Sequence, residues 1–345
     1  MIDLKYTAEI DKINETDWND VIANFNDATT FQTWTYGKLN SKSLSHLVVK
    51  FENDIVACVQ VRIFKPPLMK IGIAYVNPGP LWIKKGTEIN INILENAMKF
   101  LVEEYSIKRG LYLKVNLEYE KTDPFAEEII KKCKKLGFTL QTLNKQHPIL
   151  NFDKPLEDLR KGLDQKWRNQ LNAAEKNSIE IVDGYNDFLI DEFAEIFKTM
   201  ADKKKFAKPE YIDNFVKLFK MLPKNLRPLI VLAKYKNEFI GGGVFSVLGS
   251  RGIYLYGATN DLGREYKASY LVQWYIIKWL HEKGFSRYDL SGINKQNNPG
   301  TYKFKVGVIK NNGNISQFLD PFVYSHTSIN KLFVKAIQKF AKKDF

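Results

Sequence analysis

The amino-acid sequence predicts an α/β protein that contains two copies of one strand-and-helix unit, with mixed sheets flanked by helices. Two observations support this prediction. The same series of elements (a β-hairpin, a strand, a helix and another strand) occurs twice with nearly constant spacing. In addition, 345 residues are enough for two ordinary domains, and 44% apolar with 26% charged residues is typical of a globular chain.

The two hairpins are the clearest part of this repeat. Each consists of two apolar strands around a three-residue polar turn with asparagine at its centre. Asparagine is favoured in tight turns because its side chain bonds to nearby backbone and tolerates left-handed conformations. The turns are 52–54 and 236–238, about 180 positions apart. The flanking strands are predicted over 47–51, 55–64, 229–235 and 239–248.

A third strand, a helix and a fourth strand follow each hairpin. The helices carry apolar residues at intervals of three and four, and each runs to a glycine, Gly110 or Gly284, which is typical of a helix end. A strand, a helix and a parallel strand place helices over a mixed sheet. The predicted strands are 70–76, 111–117, 252–258 and 288–293, and the predicted helices are 93–105 and 270–282.

Further elements complete the predicted domains. We expect domain 1 to contain residues 1–150 plus a C-terminal helix within 318–345, and domain 2 to contain 151–317. The tail 329–345 is amphipathic, and we expect it to dock against domain 1, with a membrane surface as the alternative. The remaining predicted elements are helices over 18–25, 188–200 and 211–221 and a strand over 149–152.

Composition and motifs exclude several classes of function. The net charge of +13 favours phosphate-bearing ligands, although a generally lysine-rich surface explains it equally well. We find no zinc, Walker or dinucleotide motif, and Gly241 to Gly243 lie within a predicted strand. Cys58 and Cys133 have no partner at ligand spacing, which indicates reduced thiols. We expect no signal peptide and no membrane span.

The most informative stretch runs from residue 288 to residue 307. A predicted buried strand, Tyr288 to Ile293, is followed by a polar loop that leads to Phe304-Lys305. A lysine fixed beside an aromatic residue can hold a phosphate or a developing oxyanion. The alternative is a surface lysine next to a core phenylalanine.

The string Asp289-Leu-Ser-Gly-Ile293, followed by Gly300-Thr-Tyr-Lys-Phe-Lys305, resembles the closing motif of the FemABX family. These non-ribosomal peptidyltransferases build the interpeptide bridges of peptidoglycan. Further stretches that resemble the family are 32–38, 165–176 and 254–258. The resemblance implies a tandem pair of GNAT (acyl-CoA N-acyltransferase)-like domains. Because no long charged heptad insertion lies between Phe188 and Lys236, the chain looks like the compact, FemX-like branch without a coiled-coil arm.

The resemblance also implies a reaction. An amino acid would move from aminoacyl-tRNA to the side-chain amine of a peptidoglycan precursor, UDP-MurNAc-peptide or lipid II, bound between the two domains. Aminoacyl-tRNA would be a co-substrate, and no cofactor or metal is implied. The expected protein is a cytoplasmic monomer; contact with the inner face of the cell membrane stays open.

The resemblance assigns roles to individual residues. Lys305 would steady the oxyanion of the ester or the diphosphate of the substrate, and Phe304 would wall the site. The substrate-binding residues would be Tyr256, Tyr254, Lys208, Tyr211, Lys38 and Asn116. Two positions depart from the family: Asn116 replaces an aspartate, and Asn40 replaces a second lysine of the early helix. Both departures weaken the expectation that the acceptor is the usual muramyl pentapeptide.

Two other functions remain open at this stage. An acyl-CoA-dependent N-acyltransferase would hold pyrophosphate on a glycine-rich loop before a helix, and the nearest candidate, residues 264–269, has Lys267 where a glycine is needed. A non-catalytic RNA binder would use the basic surface. The sequence shows no aromatic platform motif for RNA and no basic run beyond Lys203-Lys204-Lys205.

Overall fold

Two seven-stranded mixed sheets form the frame of the protein, one in each of two compact units. The computed structural model describes residues 5–66, 71–204 and 210–327. The first unit comprises the chain up to Asn144 and the segment from Gln317, and the second unit is Lys145–Ser316. The predicted α/β fold with two repeated mixed sheets is confirmed.

The first unit has its strands in the order β1-β2-β3-β4-β5-β14-β6. They are β1 (Tyr6–Ile10), β2 (Leu44–Phe51), β3 (Asp54–Phe64), β4 (Ile73–Val76), β5 (Tyr112–Val115), β6 (Thr139–Leu140) and β14 (Phe322–Tyr324). The helices are α1 (Glu15–Ile22), α2 (Trp34–Asn40), α3 (Ile91–Leu101, continued by π-helical turns over Val102–Lys108) and α4 (Ala126–Lys135), with a 3₁₀ turn at Thr30–Gln32.

The second unit has its strands in the order β13-β7-β12-β11-β10-β9-β8. They are β7 (His147–Asn151), β8 (Ile179–Gly184), β9 (Leu229–Tyr235), β10 (Glu238–Ser246), β11 (Arg251–Thr259), β12 (Arg287–Asp289) and β13 (Gly313–Ser316). The helices are α5 (Leu156–Gly162), α6 (Gln165–Glu175), α7 (Asp187–Lys204), α8 (Glu210–Met221), α9 (Asp261–Glu265), α10 (Ala268–Glu282) and α11 (Pro299–Ile309), with a 3₁₀ turn at Lys224–Leu226.

The two sheets repeat one topology. Read from β1 and from β8, each begins with three antiparallel pairings, continues with one parallel pair (β4 with β5, β11 with β12) and ends with two antiparallel pairings. The hairpin turns match in conformation as well. Glu52 and Lys236, the first turn residues, have φ values of 56° and 55°, which is uncommon for residues other than glycine. This detail supports duplication beyond the order of elements.

The sixth strand of each sheet comes from a different part of the chain from the five strands before it. Position six of the first sheet is filled by β14, which follows the second unit in the chain, and position six of the second sheet is filled by β7, which precedes the other strands of that sheet. The predicted domain boundary at residue 150 differs from the observed one because β7 pairs with β12 and β13. The predicted tail helix over 329–345 lies outside the described residues.

Each unit has its own apolar core beneath its sheet. In the first unit α3 and α4 pack on the sheet through residues that include Leu94, Met98 and Ile129. In the second unit α10 contributes Val272, Ile276 and Leu280, all 2% exposed or less. Completely burying such a side chain stabilises a fold by about 1.5–3 kcal/mol. The helix predicted at 93–105 buries the expected face, whereas in the helix predicted at 270–282 Leu271 and Tyr275, which were expected to face inward, are only half-buried.

The largest local error of the sequence prediction lies at 299–309, which was expected to be a loop and is helix α11. Asn298 caps this helix by accepting a bond from the Thr301 amide at 3.2 Å, and Pro299 occupies the first turn. Strand β12 also ends at Asp289 rather than Ile293. The elements that the sequence did not reveal include β1, β8, β13 and β14.

Other expectations concern reactive and membrane-related groups. Cys58 and Cys133 are both buried and unbridged, and burial raises the pKa of the Cys133 thiol to about 12. Within the described ranges, no cluster of three or more histidine, cysteine or acidic side chains is arranged to hold a metal. None of the helices in those ranges combines the length and apolar character needed to cross a bilayer.

Candidate active site at the diverging strands of the second unit

The candidate site begins where two parallel strands separate. Strands β11 and β12 pair from Arg251 with Arg287 to Ile253 with Asp289, and the pairing then stops. Backbone groups beyond such a point need other partners, since buried backbone polar groups are nearly always hydrogen-bonded. The chain after β12 therefore turns sharply at Ser291, whose φ of 62° lies in the left-handed region.

Side-chain bonds hold this turn. The Ser291 amide donates to Asp289 Oδ1 at 2.7 Å, and the Ser291 hydroxyl donates to the Tyr254 carbonyl at 2.5 Å. The first bond closes the turn onto the end of β12, and the second ties the turn to the neighbouring strand β11 after their ladder has ended. As a result the carbonyls of Ser291 and Gly292 have fixed positions.

Lys305 reaches these carbonyls from α11. Its Nζ donates to the Gly292 carbonyl at 3.1 Å and lies 3.5 Å from the Ser291 carbonyl. The ammonium also lies 5.6 Å from the centroid of the Tyr254 ring. The residue is only 7% exposed, so it is not the surface lysine of the alternative interpretation.

Burial makes the Lys305 ammonium more acidic. Desolvation lowers the pKa of Lys305 to about 8, while the nearby carboxylate of Asp289 opposes the shift. An ammonium has three N–H donors, and two have carbonyl partners among the described residues. The third can bind an oxygen that gains negative charge during a reaction, in surroundings where electrostatic stabilisation is strong.

Asp289 is held from a third strand. His147 on β7 donates from Nδ1 to both carboxylate oxygens of Asp289 at 3.1 Å. Asp289 is 2% exposed, and the hydrogen bonds from His147 and Ser291 with the charge of Arg251 lower its pKa despite burial. The carboxylate is therefore ionised at neutral pH.

Phe304 points to a different place from its neighbour Lys305. Its ring lies 5.9 Å from that of Trp167 and 5.0 Å from that of Tyr270. These three rings line a hollow of about 710 Å³ whose other lining residues include Lys166, Lys303 and Lys310. The Nε1 of Trp167 is buried there and has no hydrogen-bond partner among the described residues. The hollow can hold a flat ring and a nearby anion.

The corresponding place in the first unit has different chemistry. Asn116 follows β5 where it separates from β4, and its Nδ2 donates to the Tyr75 hydroxyl at 3.0 Å and to Asn77 Oδ1 at 3.1 Å. The Oδ1 of Asn116 is buried without a partner among the described residues. Arg62, which is 8% exposed, lies over the ring of Tyr75 at 5.0 Å.

The other predicted binding residues are dispersed. Lys38 is exposed on α2, and Tyr211, 62% exposed, stands near the start of α8. Tyr256 packs against Phe197 and Phe215 at 6.0 and 4.7 Å. Of the residues predicted from the sequence, the structure brings Lys305 and Tyr254 together, whereas Phe304 faces the separate hollow. Lys208 lies outside the described residues.

Sequence reasoning missed three contributors. From the sequence, no role was assigned to His147, Trp167 or Arg62. Their signals are weak in sequence, because each lies far along the chain from the residues it contacts. Only the tryptophan beside basic residues in 165–176 could have been noticed as part of a binding surface.

Comparisons with known proteins agree with this picture. Residues 230–343 match the model of the FemAB family. The aminoacyltransferase FemA of Staphylococcus epidermidis is 27% identical over 168 residues, which cover 46% of this chain and 34% of that protein. A lipid II:glycine glycyltransferase of Staphylococcus epidermidis is 28% identical over 115 residues, covering 32% of this chain and 27% of that protein. The matches thus span about a third of these curated relatives.

Solved structures match over a larger share of the chain. The crystal structure of FemX has a TM-score of 0.77 at 15% identity and covers 96% of this chain and 100% of that one. The C-terminal domain of a putative lysylphosphatidylglycerol synthetase from Agrobacterium fabrum has a TM-score of 0.58 at 10% identity, covering 94% of this chain and 95% of that one. At such identities the likeness establishes the shared fold alone. The family model and the sequence relatives show, over part of the chain, a similarity to the FemABX family.

Proposed function

We propose that this protein is an aminoacyltransferase that moves an amino acid from aminoacyl-tRNA to the side-chain amine of a peptidoglycan precursor, UDP-MurNAc-peptide or lipid II. The observation that supports it most is the Lys305 ammonium, buried and bound to two carbonyls at the end of β12. The likeness to FemA and to a lipid II:glycine glycyltransferase supports the same class of reaction. Membership of the compact branch is part of the proposal.

The reaction needs no nucleophile from the protein. The acceptor amine attacks the carbonyl carbon of the aminoacyl ester, and negative charge develops on the carbonyl oxygen. Lys305 donates its remaining N–H to that oxygen. The amide bond then forms, the bond to the ribose oxygen breaks, and the proton lost by the amine goes to the leaving hydroxyl or to water. Because the ester is already activated, positioning and charge stabilisation supply the catalysis.

The hollow beside Phe304 is the proposed place for the RNA end of the donor. The rings of Trp167, Tyr270 and Phe304 offer stacking surfaces, which are worth about 1–3 kcal/mol for each base. Lys166, Lys303 and Lys310 supply positive charge for phosphates. The unpartnered Trp167 Nε1 offers a donor to a base or ribose oxygen.

The residues proposed to bind the precursor are those that the resemblance assigned. Lys38 and Lys208 are candidate ligands for its phosphates, and Tyr256, Tyr211 and Asn116 for its peptide or sugar. Asn116 carries a neutral amide where the family has an aspartate. We propose that the acceptor therefore differs from the usual muramyl pentapeptide in the group that lies nearest Asn116. We propose that the protein acts in the cytoplasm as a monomer, with lipid II as a substrate only if it reaches the inner membrane face.

The test is incubation of the purified protein with charged tRNA and a panel of amine-bearing precursors, followed by mass spectrometry. A precursor gaining the mass of one amino-acid residue is expected, and its absence with every precursor contradicts the proposal. A parallel incubation with acetyl-CoA tests the acyl-CoA-dependent alternative. In the loop relevant to that alternative, Lys267 adopts a φ of 61° immediately before α10. Retention of tRNA without any product would instead favour a non-catalytic RNA binder.

A further inference from the structure

We propose that Asp289 and His147 are positioning residues for Lys305, which fix the direction of its ammonium and keep it charged. This inference rests on the proposed role of Lys305, and it deepens that role. It stands on a continuous set of contacts that joins three strands and one helix of the second unit. Neither residue touches the reacting atoms in this account.

The first step runs from Asp289 to the carbonyls. The Asp289 carboxylate accepts the Ser291 amide at 2.7 Å, and this bond sets the left-handed turn at Ser291. Asparagine, aspartate and glycine favour that conformation, so serine there requires support from its surroundings. The turn aims the carbonyls of Ser291 and Gly292 at the Lys305 ammonium. Moving the carboxylate would therefore move the ammonium.

The second step runs from His147 to Asp289. Two bonds of 3.1 Å from one imidazole nitrogen fix both carboxylate oxygens. His147 belongs to β7, which pairs with β12 through Asp289 and Ile149. Strand β7 thus contributes more than its backbone pairing with β12, because its first side chain locks the orientation of the Asp289 carboxylate.

The third step is electrostatic. The groups that act on the Lys305 ammonium or its carboxylate partner are Asp289 on β12, Arg251 and Tyr254 on β11, and His147 on β7. Asp289 is the negative charge that raises the pKa of Lys305 against the lowering by burial. Without it the ammonium would lose its proton at lower pH and could not donate to an oxyanion with full charge.

The experiment measures the pKa of Lys305 directly, by NMR of protein labelled in its lysine side chains, with the signal assigned by its loss in Lys305→Met. In Asp289→Asn, which keeps the size and the acceptor for Ser291, that pKa is expected to fall by on the order of half a unit to one unit. The alkaline limb of kcat/KM is expected to move down with it. An unchanged pKa in a folded Asp289→Asn protein overturns the inference.

Variants of His147 provide an independent measurement if Asp289→Asn does not fold. His147→Ala is expected to speed hydrogen exchange of the Ser291 amide severalfold, because Asp289 loses its fixed orientation. His147→Asn can place an amide N–H near the Nδ1 position and is expected to restore protection. His281→Ala, which removes a histidine bonded to the Lys154 carbonyl elsewhere in the unit, is the matched control. Unchanged exchange in His147→Ala overturns the inference.

These measurements separate the inference from the proposed function. If the pKa of Lys305 and the exchange of Ser291 change as expected but no precursor is aminoacylated, the positioning network stands and the proposed reaction fails. If transfer occurs and Asp289→Asn alters neither the pKa nor the pH profile, the reaction stands and the positioning role fails.

Discussion

The two units place different chemistry at the same point of one topology. In both, a single parallel strand pair separates, and the chain beyond it needs new hydrogen-bond partners. In the first unit the neutral amide of Asn116 is joined to Tyr75 and Asn77, with the Arg62 guanidinium over the Tyr75 ring. The second uses charged groups, with Asp289 and Lys305 bound to the turn at Ser291. The duplicated fold thus keeps the separation of the parallel strands in both units, while the side chains at that point differ.

The helices that follow the parallel pairs explain part of this difference. In the first unit α4 buries Ala126, Ile129 and Cys133, which makes it an ordinary amphipathic helix. In the second unit α11 buries Lys305 together with apolar residues. Burying an ammonium is costly unless it is well bonded, so the paired carbonyls at the strand end accompany it. Of these two helices, α11 is the one that carries a buried ammonium.

The largest expected effect comes from removing that charge. Lys305→Met keeps the length of the side chain and loses the donor, and transfer is expected to fall by about 10²–10³-fold, as when an oxyanion donor is removed. The measurement is kcat/KM for transfer to the precursor. Lys134→Ala on α4, which removes an exposed lysine from the corresponding helix of the first unit, is the control. Equal activity of both variants would contradict the assigned difference between the units.

The second prediction uses the pH dependence of the same group. Because burial lowers the pKa of Lys305 to about 8, the ammonium is present below that pH and is lost as pH rises through it. Transfer is therefore expected to decline above about pH 8, by about tenfold for each further unit, if the neutral amine is inactive. A profile of kcat/KM that stays flat to pH 10 would remove the charged form from the mechanism.

A third prediction concerns the hollow beside Phe304. Trp167→Phe keeps a ring and removes the unpartnered Nε1, so the KM for aminoacyl-tRNA is expected to rise by about 3–10-fold if that group binds the donor. The KM for the precursor should not change. Trp279→Phe, at an indole outside this hollow, is the control. If Trp167→Phe only increases stability, the Nε1 group has no ligand and the hollow is not the donor site.

A fourth prediction, of the same expected size as the third, concerns the first unit. Asn116→Ala removes the two bonds to Tyr75 and Asn77, and the KM for the acceptor is expected to rise by about 3–10-fold while that for aminoacyl-tRNA stays constant. Steady-state kinetics with one substrate varied at a time measures both values. A rise in the KM for aminoacyl-tRNA alone would contradict the proposal that Asn116 binds the acceptor.

The accuracy of the sequence prediction follows the range of the interactions involved. Hairpins and helices with clear periodicity were predicted because strand alternation and helical spacing depend only on residues that are close together in the sequence. Helix α11 was missed because glycines and β-branched residues dominate its segment and lower helix propensity. The structure gives a reason for one of them: a Cβ on Gly307 would lie 2.9 Å from Cδ1 of Trp167. Packing against α6, not local preference, therefore selects that glycine.

By itself, the sequence determined the two-unit α/β frame, the turn chemistry of its hairpins, and the resemblance that led to the FemABX family, because each depends on short-range patterns. Only the tertiary structure decided that β7 and β14 fill the sixth strand positions, that His147 meets Asp289 across 142 positions of chain, and that Lys305 is buried while Phe304 lines another hollow. The physical reason is that burial and hydrogen bonding between distant segments arise only when the sheets assemble.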